Sequence, residues 1–214
     1  MIIRRSFVSL FSALIVFSAL FLFSDSARSA SFEEEATLFV EEMADKAIKK
    51  LTDKTAPQDE RIERFRTYLN THFDVESIGE WILGRYWNKA TEMEQKEYLN
   101  LFEDLIVVSY VDRFASYAGE PLHILKSHAQ DEKHVTVFSE IHQKDGKPAV
   151  RVNWKVERED DLIQIIDVVV EGISLRKTLR SDFRSIIRSR HRSISGLLDA
   201  LREKTAKLRK QTPN

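Results

Sequence analysis

Residues 134–170 read HVTVFSEIHQKDGKPAVRVNWKVEREDDLIQIIDVVV, and the period of two in their hydrophobic pattern decides the fold class. Val135, Val137, Ser139 and Ile141 fall on one side of an extended chain, opposite Thr136, Phe138, Glu140 and His142. Asp145-Gly146-Lys147-Pro148 then supplies turn chemistry. Val150, Val152, Trp154 and Val156 resume the apolar side, against Arg151, Asn153, Lys155 and Glu157. The alternation predicts an antiparallel meander with one apolar and one wet face. After a turn at Glu159-Asp160-Asp161, residues 162–170 are apolar on both sides except at Gln164 and Asp167, which predicts a central strand. Trp154, bulky among valines, either plugs the core or shapes one wall of a hole.

On both sides of this block the period changes to that of helices, in residues 32–118 and 175–209. Residues 32–54 place Leu38, Phe39, Met43, Ala47, Ile48 and Leu51 on one stripe, behind an acidic face that includes Glu33, Glu34, Glu35, Glu41, Glu42 and Asp45. Pro57 breaks that helix, and Ile62, Phe65, Leu69 and Phe73 restart the stripe. Asp74 is expected to cap a short third helix, and Thr91-Glu92-Met93-Glu94 is a capping box that opens the longest one, over residues 92–118. That helix is apolar on too many sides for one narrow stripe, so it is expected to be covered on most sides, by other elements or by a cavity. The fold class is therefore α+β: one curved antiparallel sheet of about four strands, within residues 122–173, packed against N-terminal and C-terminal helices.

Arg4 and Arg5 precede an uncharged apolar run, residues 6–24, and a small-residue stretch, residues 26–31. This is the layout of a secretory signal, with cleavage expected near Ala30; the competing reading is an uncleaved anchor. Removal of residues 1–29 takes three of the 33 basic and one of the 34 acidic residues, leaving 185 residues with a net charge of −3. One domain over residues 30–210 can bury its core without staples. The chain has no cysteine, which excludes disulfides, a thiol nucleophile and thiolate metal ligation.

Catalytic signals are sparse. Gly172-Ile173-Ser174-Leu175-Arg176 begins like a nucleophile elbow, but Arg176 stands where the tight turn needs glycine. His72, His123, His128, His134, His142 and His191 show no helical metal-ligand spacing, so no metal is expected. Asp167 is the one acid placed for desolvation, and it reads as a buried hydrogen-bond acceptor before a general base. No glycine-rich phosphate cradle occurs. Arg176, Arg180, Arg184 and Arg188 recur every four residues along one helix flank, joined by Lys177 and Arg190, with Asp182 the only nearby acid. Such a ridge suits lipid headgroups or an acidic protein partner, whereas the export signal argues against nucleic acid. Leu197, Leu198, Leu201 and Leu208 are reserved for packing in the last helix.

Three segments, FRTYLNTHFDVESIGEWILGRYWNKAT (65–91), VRVNWKV (150–156) and IIDVVVEGISLRKTLRSDF (165–183), together resemble the MlaC family over about residues 60–205. The resemblance implies a periplasmic carrier, not an enzyme. It would hide phospholipid acyl chains in an apolar cavity between sheet and helices and leave the headgroup at the mouth. It also implies shuttling between an outer-membrane lipoprotein complex and an inner-membrane ABC transporter complex, with lipid as cargo and no cofactor. LRSDF (179–183) and GLLDALREKT (196–205) are close to a hopanoid-associated branch, so a hopanoid is an alternative cargo. A lipid-free scaffolding module and a hydrolase using Asp167 or a histidine are the rivals from other classes. The lipid-lining candidates are Trp81, Leu83, Trp87, Phe102, Leu105, Ile106, Tyr110, Phe114, Val152, Trp154, Val156, Val168, Val170 and Ile173, with Arg176, Arg180, Arg184 and Arg188 touching headgroup or partner. Burying roughly thirty methylenes at ~0.8 kcal/mol each would contribute about 24 kcal/mol before opposing terms, so such a carrier needs no catalytic group.

Overall fold

A computed structural model describes residues 31–53, 55–115, 119–143, 146–190 and 192–211. The expected signal segment and its cleavage point lie outside the described residues, as do Asp145 of the expected turn and His191. Helix α1 (Phe32–Leu51) opens on a capping box: the Glu34 N–H donates to Ser31 Oγ at 3.3 Å, and the Ser31 N–H to Glu34 Oε2 at 2.9 Å. It buries Ala36, Val40, Met43, Ala47 and Leu51. Leu38, expected on that stripe, is instead 56 % exposed: two positions from both Ala36 and Val40, it points to the opposite side of the helix.

Helix α2 (Gln58–His72) follows Pro57 and buries Phe65, Tyr68 and Leu69. Asp74 caps α3 (Val75–Leu83) as expected, accepting from the Ser77 N–H at 2.9 Å. A 3-10 segment, Gly84–Lys89, leads to α4 (Glu92–Ala115), whose Thr91–Glu94 capping box forms with both bonds in place. The last residues expected in that helix, 116–118, lie outside the described ones.

Strands β1 (Leu122–Ala129), β2 (His134–Ile141), β3 (Val150–Glu159), β4 (Leu162–Val170) and β5 (Ile173–Ser174) form one antiparallel sheet in sequence order, one short strand more than expected. The meander brings Val137, Trp154 and Val168 side by side. Strand β1 breaks register between Ile124 and Lys126. Strand β4 is not central. Only two-residue β5 lies beyond it, together with a bridge from Phe73 to Ile165 and a 3.1 Å bond from the Asp74 N–H to the Ile165 carbonyl. Its two-sided apolarity arises because α2, α3 and α5 (Leu175–Ser189) also pack on it.

Helix α6 (Ile194–Gln211) packs along α4 and completes the fold. The apolar coverage of α4 then has a simple cause. On one side Val107 and Val111 join a cluster with α1, α2 and the sheet; on the other Tyr98, Phe102 and Leu105 join a second cluster with Ile82, Phe183, Ile187, Leu197 and Leu201. Gly84 ends α3 at φ +52°, where an added Cβ would stand 2.7 Å from Arg180 Nη2. Gly84→Ala is expected to destabilise the protein by ~1–3 kcal/mol, seen as a lowered midpoint in thermal unfolding followed by circular dichroism.

Candidate functional site

Between the sheet and helices α1, α2 and α4 lies a cavity of ≈ 380 Å³. Val152, Trp154, Val168 and Val170 of the sheet form one wall. Met43, Ala44, Ala47, Ile48 and Leu51 of α1 form another with Phe65, Tyr68 and Leu69 of α2, and Ile106, Tyr110 and Phe114 of α4 close the side. Arg113 and Glu120 are the charged residues of this lining; the Arg113 guanidinium is exposed and lies 5.4 Å from the Tyr110 ring centre, which marks the solvent end. A smaller chamber of ≈ 100 Å³ abuts the first, sharing Leu69, Phe73, Ile106, Tyr110, Val168 and Leu175 with it. It extends towards Val75, Ile78, Phe102 and Leu179, and has Asp167 and Arg176 in its wall.

Two polar groups of the larger wall, on Trp154 and Tyr68, are turned to protein partners. Trp154 Nε1–H donates to Ser139 Oγ at 3.0 Å, and Ser139 Oγ–H donates to the Val152 carbonyl at 2.5 Å. The indole therefore offers the hollow its ring alone. Tyr68 donates to the Met43 carbonyl, and burial raises its phenol well above the usual value, so it stays neutral. What remains is a carbon surface that can take hydrocarbon by exclusion of water and has little means of telling one apolar shape from another except by size.

A hollow of this volume is expensive. Side chains facing it forgo the packing contacts that a filled core would give them. For scale, an apolar cavity of about 150 Å³ takes up benzene.

The structure sorts the lining candidates. Ile106, Tyr110, Phe114, Val152, Trp154, Val168 and Val170 lie on the larger wall, and Phe102 on the smaller. Leu83 and Leu105 are instead packed solidly into the second cluster, with Trp81 and Trp87 against it, on the side of α3 and α4 that meets α5 and α6. Val156 is sealed in the core beside Ile165, and Ile173, at the β4–β5 turn, is 62 % exposed. The contributions of α1 and α2, from Met43 to Leu69, were not among the candidates. Their stripes are ordinary core stripes in sequence, and no signal separates lining a cavity from filling one.

Asp167 is a buried acceptor, taking the Ser174 hydroxyl at 2.6 Å and the Arg176 N–H at 3.1 Å. His134 is held between Asp131 (2.8 Å) and Glu157 (2.9 Å) at the end of the meander. Among the described residues, no group of three or more His, Asp or Glu side chains could hold a metal ion, and no helix is long and apolar enough to cross a membrane.

The arginine flank is partly submerged. The Arg176 and Arg180 guanidinium carbons lie 4.2 and 4.3 Å from the Trp81 ring centre, and Arg180 Nη1–H donates to the Trp81 carbonyl at 2.6 Å. The Nε atoms of Arg176 and Arg184 are buried and meet no acceptor among the described residues. Burial pulls Arg180 below the usual guanidinium value, and the charges of Arg184 and Arg176 pull it further. Burial does the same to Arg176, opposed by Asp167 and Glu157.

The chain matches the model of the MlaC protein family over residues 41–203. Its fold is similar to that of a phospholipid-binding protein from Ralstonia solanacearum, solved in complex with a phospholipid at 1.53 Å. The TM-score is 0.71 at 20 % identity, with 81 % of this chain and 98 % of that chain covered.

An apolar naphthylamine dye is expected to fluoresce on binding the larger cavity. Ala44→Phe, which pushes a ring into the hollow from α1, is expected to weaken that binding about tenfold, or ~1.4 kcal/mol, without loss of helical circular dichroism. Unchanged dye affinity in a folded variant would place the dye elsewhere.

Proposed function

We propose, for a chain that belongs to the MlaC family, that it is a periplasmic lipid carrier whose larger cavity sequesters phospholipid acyl chains. The observation that carries this reading is a hollow of ≈ 380 Å³ walled by carbon, whose tryptophan and tyrosine polar atoms are bonded away from it. The phospholipid held by the Ralstonia protein of the same fold supports it. So does the magnitude of the void: hydrocarbon in the hollow replaces lost packing contacts and adds ~0.8 kcal/mol per buried methylene. Residues 1–29 serve as a cleaved export signal and residues 30–210 as one lipid-binding domain.

Binding by exclusion of water has a mechanistic corollary. The carbon surface of the larger wall grips the acyl chains by no hydrogen bond, so moving them out of it needs a partner that opens the hollow or offers the chain an equally dry place. In this reading the protein moves lipid between an outer-membrane lipoprotein complex and an inner-membrane ABC transporter complex, and acts as a carrier rather than an enzyme. A hopanoid is the second cargo, favoured by LRSDF and GLLDALREKT near the C-terminus.

Native mass spectrometry of the gently purified protein is expected to show adducts of lipid mass, and removal of the lipid is expected to lower the unfolding midpoint. A lipid-free mass under gentle conditions would end the carrier reading. Val152→Arg or Trp154→Asp, each placing a charge on the sheet wall, is expected to cut lipid occupancy tenfold or more, because an unpaired charge beside hydrocarbon costs several kcal/mol. Organic extraction followed by phosphorus assay of folded protein checks it.

A further inference from the structure

Elsewhere in the described chain, partly buried arginines have carboxylates. Arg66 meets Glu103 at 2.5 Å and Asp104 at 2.6 Å, Arg61 meets Asp112 at 3.3 Å, Arg190 meets Glu203 at 2.8 Å, and Arg158 pairs with Glu35. Among the described residues, none of Arg176, Arg180, Arg184 and Arg188 has a carboxylate within 4.0 Å. Asp167 comes nearest in influence, but its oxygens accept from Ser174 and from the Arg176 backbone. Three of the four are half-buried, and two hold an Nε without an acceptor. Like charges on one flank, drawn part-way out of water with no carboxylate in ion-pair contact, raise the free energy of the protein unless an anion joins them. Successive members are about 6 Å apart along the axis, so neighbouring forks can close on one tetrahedral oxyanion.

Arg176 also belongs to the wall of the smaller chamber, beside Leu175 and Leu179. An anion bound at this end therefore lies next to a dry apolar space of ≈ 100 Å³ continuous in its lining with the larger one. Free phosphate has no use for that space, whereas a phosphate esterified to a hydrocarbon-bearing molecule occupies both. We infer that Arg176, Arg180 and Arg184 hold the phosphate group of a lipid whose chain enters the smaller chamber. This rests on the carrier reading and adds to it the residues that hold the phosphate. Arg180 has a second duty, latched to the Trp81 carbonyl and backed by Gly84, so Arg176 and Arg184 are the informative positions.

The test offers the full chain, purified after export, equimolar dipalmitoylphosphatidylglycerol and dipalmitoylglycerol in nonionic detergent micelles, with uptake read by native mass spectrometry. The wild type is expected to favour the phosphorylated lipid by tenfold or more, and the Arg176→Gln/Arg184→Gln double variant to bring the ratio to within about twofold. Equal uptake of both lipids by the wild type, or an undiminished ratio in a variant whose circular dichroism is native, would overturn the site while leaving the carrier reading standing. Uptake of neither lipid would overturn the carrier reading and the site with it. Inorganic phosphate, titrated into lipid-free protein, is expected to move the Arg176 and Arg184 Nε–H resonances in the same direction as the phospholipid does. Shifts seen with inorganic phosphate alone would make this a free-phosphate site and overturn the lipid assignment. Should the double variant fail to fold, Arg184→Lys keeps the charge, loses the planar fork and is expected to lower the ratio several-fold on its own.

Discussion

Helix α4 has to satisfy two apolar surfaces at once, and the tight surface makes the loose one possible. On the tight side Tyr98 is fully buried, donates to the Gly79 carbonyl at 3.1 Å, stacks on Phe102 at 5.9 Å and meets the edge of Phe183 at 6.2 Å. Helix α3 comes so close there that a Cβ on Gly79 would stand 2.9 Å from Leu99 Cδ2. Close packing of this kind fixes α3, α4, α5 and α6 as a block. The same α4 can then present Ile106, Tyr110 and Phe114 to a region where facing side chains do not meet. The packing contacts forgone around the hollow are offset by a second, solid cluster that carries the fold.

Polarity is divided between two places in the molecule. In the larger cavity the hydrogen-bonding atoms of Trp154 and Tyr68 are consumed by Ser139 and by the Met43 carbonyl, leaving a wall that reads volume. On the α5 flank the opposite holds: guanidinium groups are stacked on Trp81 and supplied with almost no acceptors. A carbon wall gives capacity without chemical selectivity, and a row of forked donors gives selectivity without capacity. An amphiphile has one part for each.

The fold class was legible because residues 134–156 alternate so regularly that one register satisfies every valine, and because Asp74 and Thr91 carry capping chemistry that works locally. The placement of β4 was not. Its two-sided apolarity means burial on both faces, and helices packed on a strand next to the edge produce that as well as a central position does. Leu38 shows the same limit on a smaller scale: the expected stripe held Met43, Ala47 and Leu51 but took in Leu38 and left out Ala36 and Val40, which the structure buries. As for the hollow, the half of the candidate lining that the structure places on its wall came from α4 and the sheet, where an excess of apolar residues is visible. The α1 and α2 walls carry no excess, and whether a stripe touches its neighbour or stops short depends on backbone distances that no single segment encodes.

Strand β1 ends the sheet on the side away from β5, and its register break between Ile124 and Lys126 falls in the middle of its ladder. An approaching extended chain would find the spacing of donors and acceptors interrupted after two or three residues, next to a lysine ammonium that sits 5.1 Å from the Phe138 ring centre. A protein with a large apolar hollow presents apolar surface to other copies whenever it loosens. The interrupted border offers a second copy no continuous ladder along which to extend the sheet into a fibre.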